Sequence, residues 1–352
     1  MKVAIVGVGL IGGSIGLAAR ERLGAEVAGF DPAGVDAALH VGAIDRAGTD
    51  LADTLDGAEA AFVAAPVGAL PVAVAAVLAL APEDCVVTDV GSTKRAIVAA
   101  VGDERFIGGH PLAGAAAAGV RHARAELFDG ATWYLTPTPA TRGTLYERLH
   151  RTLSALGARP AAIDAETHDR LLATVSHLPH VLANVLVAQA ASALSDEKLP
   201  ATGPSFRDVT RVAGSNTAIW RDIYLSNGDA LIAAIDDATD RLGSVRAALA
   251  DGDGDAIATW NDSARVDRRR LLEADLAGGE VCELRVAVPN RPGIVAEVAL
   301  ALGRGGVNIS DMALHPAPDR SSGFIVLWIA GAERAAQAEA LVAALGLPVA
   351  RA

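Results

Sequence analysis

The sequence predicts three parts in series: an α/β domain on a parallel sheet over 1–165, an all-α domain over 166–277, and a small βαββαβ unit over 280–352. Three observations predict this. Short apolar runs ending in glycine-containing turns recur from the first residues to about residue 164, alternating with helical patterns, the rhythm of a doubly wound sheet. From Ala165 that rhythm gives way to long stretches with apolar residues at helical spacing. After a glycine-containing linker at Ala277–Glu280, the pattern reads strand, helix, strand, strand, helix, strand.

Composition narrows the function classes. With 352 residues, 51% of them apolar, the chain can bury the cores of two or three domains. A net charge of -12 argues against a general nucleic-acid or membrane-surface binder. An anionic ligand then needs a local gathering of basic residues. Cys85 and Cys282 have neither metal-ligand spacing nor a disulfide framework, so a reducing cytoplasm is the expected compartment. The first twenty residues imitate a signal peptide, but five glycines interrupt the apolar run, and no membrane span is expected anywhere.

In "KVAIVGVGLIGGSIGLAARERLG", Lys2 to Val6 reads as a buried parallel strand and Gly7-x-Gly9-x-x-Gly12 as a dinucleotide turn. Gly7 allows the tight turn, Gly9 a close approach of backbone to pyrophosphate, and Gly12 close helix–strand packing. Leu10 and Ile11 open the helix, whose N-terminal amides suit phosphate. A second strand, "EVAGFD", ends in Asp31, nineteen residues after Gly12, where a carboxylate bonds the ribose hydroxyls. Asp31 would repel a 2′-phosphate, so NAD is expected rather than NADP, in a Rossmann-type domain. Later strands are expected within 59–67, 85–92, 133–137 and 158–164. By the rule that ligands collect at the carboxyl ends of such strands, Ala65 and Pro66 lie beside the cofactor, and Ser92 and His110 face the crevice.

His110, in "FIGGHPLAG", is either a turn histidine capping its own loop or a general base. Its ordinary pKa of about 6.5 suits the second role. In the helical part, His177 and His180 are three apart and share a face, with Pro179 between them expected to kink the helix or start a new one. No third ligand accompanies them, so no metal is expected. "FRDVTRVAGSNTAIWRDIYLSN" carries Arg207, Arg211 and Arg221, whose planar forks suit carboxylates; Asp169 and Asp208 are candidates to hold these arginines.

Together "GVGLIGGS", "TDVGSTK", "FIGGHPLAG", "SHLPH" and "FRDVTR…W.DI" resemble the prephenate dehydrogenases, arogenate-using relatives included, over roughly residues 1–275. The resemblance implies an NAD-dependent oxidative decarboxylation: the hydroxyl-bearing ring carbon gives up hydride, the ring carboxylate leaves as carbon dioxide, and the ring becomes aromatic. It implies that His110 accepts a hydrogen bond from that hydroxyl and that Ser92 orients His110 or shares the hydroxyl. His177 and His180 would line the substrate pocket and Arg211 would bind a carboxylate. Arg207 stands where the family often has lysine. A homodimer built on the helical part is also implied. The chain departs from the family at "AAAAGV" (115–120), where many relatives are polar; His122 and Arg124 are candidates to compensate.

The C-terminal "PNRPGIVAEVALAL…GVNI" resembles the ACT domain, a ferredoxin-like sensor of small molecules. That likeness implies an effector site at Arg291, Pro292, Gly293, Ile294, Asn308 and Ile309, with tyrosine the pathway's candidate ligand. A dimerising appendage is the alternative. Arogenate and 4-amino-4-deoxyprephenate remain open as substrates, and a non-catalytic NAD and amino-acid sensor remains open as a different class.

Overall fold

The computed structural model describes residues 1–114, 118–193, 203–275, 281–291, 294, 297–298, 301–302, 305, 307, 311–318 and 321–351. It divides into two compact units, Met1–Thr239 and Asp240–Ala352.

The first unit holds an eight-stranded sheet: β1 (Lys2–Val6), β2 (Glu26–Phe30), β3 (Arg46–Ala47), β4 (Ala60–Val63), β5 (Val86–Asp89), β6 (Phe106–Pro111), β7 (Thr132–Thr136) and β8 (Arg159–Ala162). The strand order is β3-β2-β1-β4-β5-β6-β7-β8. The chain runs outward from β1 to β3, then returns to the other side of β1 at β4. The switch point therefore lies between β1 and β4, where their carboxyl ends leave a crevice. Six helices complete the layers: α1 (Leu10–Leu23), α2 (Asp36–His40), α3 (Leu51–Leu55), α4 (Leu70–Leu80), α5 (Arg95–Ala100) and α6 (Gly143–Ala155). Alternate residues of β1 serve opposite faces. Val3 and Ile5 join a core with Ile15, Phe62, Trp133 and Leu149; Ala4 and Val6 join one with Val63, Val74, Val77 and Val87. Burial on both faces is why these strands read as unbroken apolar runs.

One pairing departs from the sequence's parallel rhythm: β7 runs antiparallel to β6, with Tyr134 opposite His110. Among the described residues, the connection between them carries short 3₁₀ turns at Val120–His122 and Ala125–Phe128 and no crossover helix.

The helical residues follow as α7 (Ala165–Leu172), α8 (Leu178–Ala193), α9 (Pro204–Thr210), α10 (Thr217–Ser226), α11 (Gly228–Asp251) and α12 (Gly254–Asp275). Asp164 starts α7 by accepting from the Thr167 amide at 2.8 Å, and Asn216 starts α10 by accepting from Ala218 and Ile219. A π-helical turn at Ala173–His177 joins α7 to α8 without a break, and Pro179 sits in the first turn beyond it. The proline is accommodated by rewinding rather than by a new start. The sequence reading expected a kink or a new helix at that proline, and no membrane span. The continuous helix Ala165–Ala193 is long and apolar enough to cross a membrane by length and composition. Its buried side carries His168, Asp169, His177 and His180, while Val175, Val185, Leu186 and Val187 are exposed.

The second unit contains a four-stranded antiparallel sheet of β9 (Val281–Pro289), β10 (Asp311–Pro316), β11 (Ser322–Ala330) and β12 (Val349–Arg351), in the order β10-β11-β9-β12. Leu284, Val286, Ile325 and Leu327 pack from one face of it against Val298, Leu302 and α13 (Ala332–Ala344).

Candidate active site

The glycine turn is shaped for a phosphate. Gly7 has φ +96°, and a Cβ there would lie 2.5 Å from the Ala64 carbonyl oxygen. A Cβ on Gly12 would lie 2.0 Å from the Gly7 oxygen, so the α1–β1 approach admits no side chain. At Gly9 a Cβ would meet nothing within 4 Å, and α1 starts there with no side-chain cap. The first-turn amides of Leu10, Ile11 and Gly12 thus have no intrahelical acceptor. Asp31, at the end of β2, accepts from the Val8 amide at 3.0 Å and the Ala33 amide at 2.8 Å, which fixes its carboxylate and leaves lone pairs for a diol. Ala65 and Pro66 follow β4, next to β1 across the switch point. These residues fit a dinucleotide.

His110 lies in β6, 8% exposed, and Ser92, partly buried, lies in the loop that follows the neighbouring strand β5. The expected orienting serine is not what holds the ring: His110 Nδ1 lies 2.9 Å from His168 Nε2, and His168 Nδ1 lies 2.8 Å from Asp169 Oδ1. Asp169 also accepts the amides of Lys94 at 2.7 Å and Arg95 at 2.9 Å. Burial pushes the Asp169 carboxyl up, but the bonds from His168 and the two amides outweigh it and hold it below its usual range. An ionised Asp169 only accepts, so His168 carries its proton on Nδ1 and presents a lone pair at Nε2. His110 then donates Nδ1–H to that lone pair, and its own Nε2 is left as an acceptor. Burial first, then the positive fields of His168, Lys94 and His177, push His110 well below its ordinary pKa, so it is neutral at neutral pH. His168 was not singled out from the sequence. Asp169 was, but as a holder of Arg207, Arg211 and Arg221; its carboxylate instead bonds His168, the 94–95 amides and, at 3.4 Å, Arg95 Nε.

Beneath this chain Lys94 and Asp89 form an ion pair, both 0% exposed. Asp89 also accepts the amides of Gly91 at 2.8 Å and Gly109 at 3.1 Å, tying the end of β5 to the strand that carries His110.

The helical elements add two histidines. Asn227 Nδ2 donates to the Asp169 carbonyl at 2.7 Å and lies 3.3 Å from His177 Nδ1. His180 stacks on Trp220, ring centroids 3.6 Å apart, with its Nδ1 bonded to the Tyr224 hydroxyl. With Nδ1 accepting in both rings, each Nε2 carries the proton, and both Nε2 atoms are buried without a hydrogen-bond partner. Two orphaned buried donors call for an acceptor. Burial lowers the pKa of both, His177 to about 4. The unfolded chain binds a proton at His177 below its ordinary value of 6.5 that the folded chain refuses until about 4. Its contribution to stability, on the order of 3 kcal/mol, is therefore complete above that ordinary value and is lost as pH falls toward the folded one. The urea midpoint is expected to drop across that window, and less steeply in His177→Asn; an equal slope in both proteins would refute the assignment.

Arg211 begins the 3₁₀ turn Arg211–Gly214 and, with Leu112, Ala113, Gly114 and Ser215, lines a cavity of about 510 Å³. Leu112–Gly114 directly follow His110 and Pro111, so the cavity joins the guanidinium to the strand bearing the relay. Arg207, exposed on α9, does not line it. His122 is exposed; the Arg124 amide donates to Ser14 at 3.1 Å, and residues 115–117 lie outside the described residues. Of the expected effector positions, Arg291 is exposed and pairs with Glu297, and Ile294 is buried. Pro292, Gly293, Asn308 and Ile309 lie outside the described residues.

Comparison with known proteins places this geometry. Residues 15–161 match the family "Prephenate dehydrogenase, nucleotide-binding domain" and residues 164–261 match "Prephenate dehydrogenase, dimerization domain". The prephenate dehydrogenase of Bacillus subtilis (strain 168) is 30% identical over 338 residues, 92% of this chain and 90% of that one. The crystal structure of Aquifex aeolicus prephenate dehydrogenase in complex with hydroxyphenyl propionate and NAD+ superposes with TM-score 0.70 at 29% identity, covering 77% of this chain and 98% of that one. Synechocystis arogenate dehydrogenase gives 0.68 at 27%, covering 77% and 100%. Two adjoining domain matches and a relative similar along most of both chains settle the membership: the chain belongs to the prephenate dehydrogenase family.

Proposed function

We propose that the protein is an NAD-dependent prephenate dehydrogenase, converting prephenate to 4-hydroxyphenylpyruvate and carbon dioxide. The observation that carries this reading is the Asp169–His168–His110 chain, which ends in an unprotonated nitrogen at the carboxyl end of the sheet. Bound in that site, NAD would supply the acceptor for the hydride of the hydroxyl-bearing ring carbon. His110 Nε2 accepts the hydroxyl hydrogen bond and takes up positive character as that oxygen gains carbonyl character. His168 and Asp169 stabilise this change by receiving the Nδ1 proton's charge along the chain. The bond to the ring carboxylate breaks, its electron pair completes the aromatic ring, and the phenol keeps or regains its proton from His110. In this reading Ser92 shares the hydroxyl. His177 and His180 offer neutral N–H donors to substrate oxygens, and Arg211 supplies the cation that a dicarboxylate needs. In the cofactor site, Leu10, Ile11 and Gly12 meet the pyrophosphate, Asp31 the adenosine ribose, and Ala65 and Pro66 the nicotinamide half.

Arg211→Ala is expected to raise KM for prephenate by about 10- to 100-fold, the scale of one charge-assisted bidentate contact, with little change in kcat. An unchanged KM would remove Arg211 from the site. Arogenate is a second reading, favoured by the likeness to the Synechocystis enzyme. His177 and His180 donate equally well to oxygens of either substrate, and a direct comparison of the two substrates decides.

The C-terminal sheet reads as an ACT module responsive to an amino acid, tyrosine being the candidate. Its support is the antiparallel order β10-β11-β9-β12 with helical residues on one face, together with the "PNRPGIVAEVALAL…GVNI" motif. A homodimer through the exposed apolar side of α8 is supported by the dimerization-domain match. Inhibition of turnover by tyrosine in the full chain supports the effector assignment; indifference to it opposes it.

A further inference from the structure

We propose that the protein carries a second anion site, within the Asp240–Ala352 unit, that takes a compact dianion. Alternation along β9 sends Leu284, Val286 and Val288 to the helix-covered core and Glu283 and Arg285 to the opposite face. The β9–β11 register places Trp328 directly opposite Glu283 and Val326 opposite Arg285, so these four share that face. Over it, α12 presents Arg265, Arg268 and Arg269, whose i, i+3, i+4 spacing gathers them on one side of the helix. Together Arg265, Arg268, Arg269, Arg285, Glu283 and Trp328 enclose most of a cavity of about 110 Å³.

Its chemistry is specific. The Arg268 guanidinium lies 4.6 Å over the Trp328 ring, a cation–π contact that orients one planar fork. Arg285 Nε bonds Glu283 at 3.1 Å, which orients a second. Arg265 pairs with Asp262 at 3.3 Å, outside the lining. Among the described residues, four guanidiniums and one carboxylate line the cavity, in a chain whose net charge is -12. Like charges gathered at one small cavity repel, and a dianion seated among them reverses that repulsion into attraction. Guanidinium forks match the oxygen pairs of a phosphate or carboxylate. The volume suits inorganic phosphate, a phosphate ester's head group or a short dicarboxylate. These share oxyanion chemistry, and the test separates them.

The test titrates the full-length protein with inorganic phosphate, with malonate and with chloride at constant ionic strength, following tryptophan emission and, in parallel, heat of binding. Saturable binding of phosphate or malonate, with none of chloride, is expected. A response to phosphate alone identifies a phosphorylated ligand, and a response to malonate alone a dicarboxylate. Trp328→Phe should abolish most of the emission change and keep the heat. Arg285→Gln should weaken binding about tenfold, the scale of one charge-assisted bond, whereas Glu283→Gln, on the same strand face, should tighten it. Opposite signs from adjacent positions exclude general damage to the sheet. Equal responses to all three anions, no response to any, or unchanged affinity in both variants would overturn the proposal.

Discussion

His110→Ala is expected to lower kcat about 1000-fold while KM for prephenate changes by less than about threefold. The asymmetry follows from when the interaction matters. In the ground state the neutral imidazole accepts one hydrogen bond from a hydroxyl, which water can replace. As hydride leaves, the oxygen becomes acidic and the same bond strengthens, so its loss falls on the transition state. The relay sharpens the expectation. His168→Phe leaves His110 in place but removes the acceptor that fixes its tautomer, and kcat should fall by about 10- to 100-fold, again with KM nearly unchanged. The pH profile has a defined sign. Burial holds His110 well below its ordinary pKa. Activity should therefore stay level through neutral pH and decline only below the ordinary histidine range, as His110 gains a proton. A profile still rising above neutral pH would contradict a neutral His110. A large KM effect in His110→Ala would make it a binding group instead.

Asp89→Ala is expected to destabilise the protein by about 3–5 kcal/mol, the scale for leaving one member of a buried ion pair uncompensated. Lys94 and Asp89 are both fully buried, and burial already pushes the Lys94 ammonium below its ordinary pKa, against the pull of Asp89. Removing the carboxylate strands the ammonium and takes the acceptor from the Gly91 and Gly109 amides. The double variant Asp89→Ala/Lys94→Met should recover a substantial part of the loss, because it removes the stranded charge. Urea unfolding measures both. A single variant within about 1 kcal/mol of wild type would mean that the pair does not anchor β5 to β6. The pair also sits beneath His110, so the single variant should lower kcat even where it remains folded.

What the sequence made legible has a physical pattern. The glycine turn, Asp31 and the strand-end positions of Ala65, Pro66 and His110 were readable because backbone geometry restricts residue type locally: only glycine fits where a Cβ would lie 2.0 Å from a carbonyl oxygen. The helical half was readable as helix, whereas the roles given to its histidine pair and Arg211 came from the family likeness and not from any local pattern. His168 was not, because its role depends on meeting a residue 58 positions away, and a histidine beside an aspartate on a helix has no periodic signature. Asp169 was assigned to the arginines of 207–221 on charge alone, whereas the fold gives it two backbone amides, an imidazole and a different arginine, Arg95. Lys94 and Asp89 lay inside a quoted motif, "TDVGSTK", yet their mutual burial appears only once β5 and β6 pair. The reversal of β7 was hidden because it depends on how the chain between β6 and β7 returns, which no local residue pattern in 112–131 announces.

The central claim is tested most directly by following NADH formation when the purified protein and NAD are given prephenate, and separately arogenate, with His110→Ala alongside. Turnover with prephenate, lost in His110→Ala, is the predicted result. Turnover with arogenate alone would keep the relay and reassign the substrate. No NADH from either would contradict the account and favour a protein that binds NAD without turning it over.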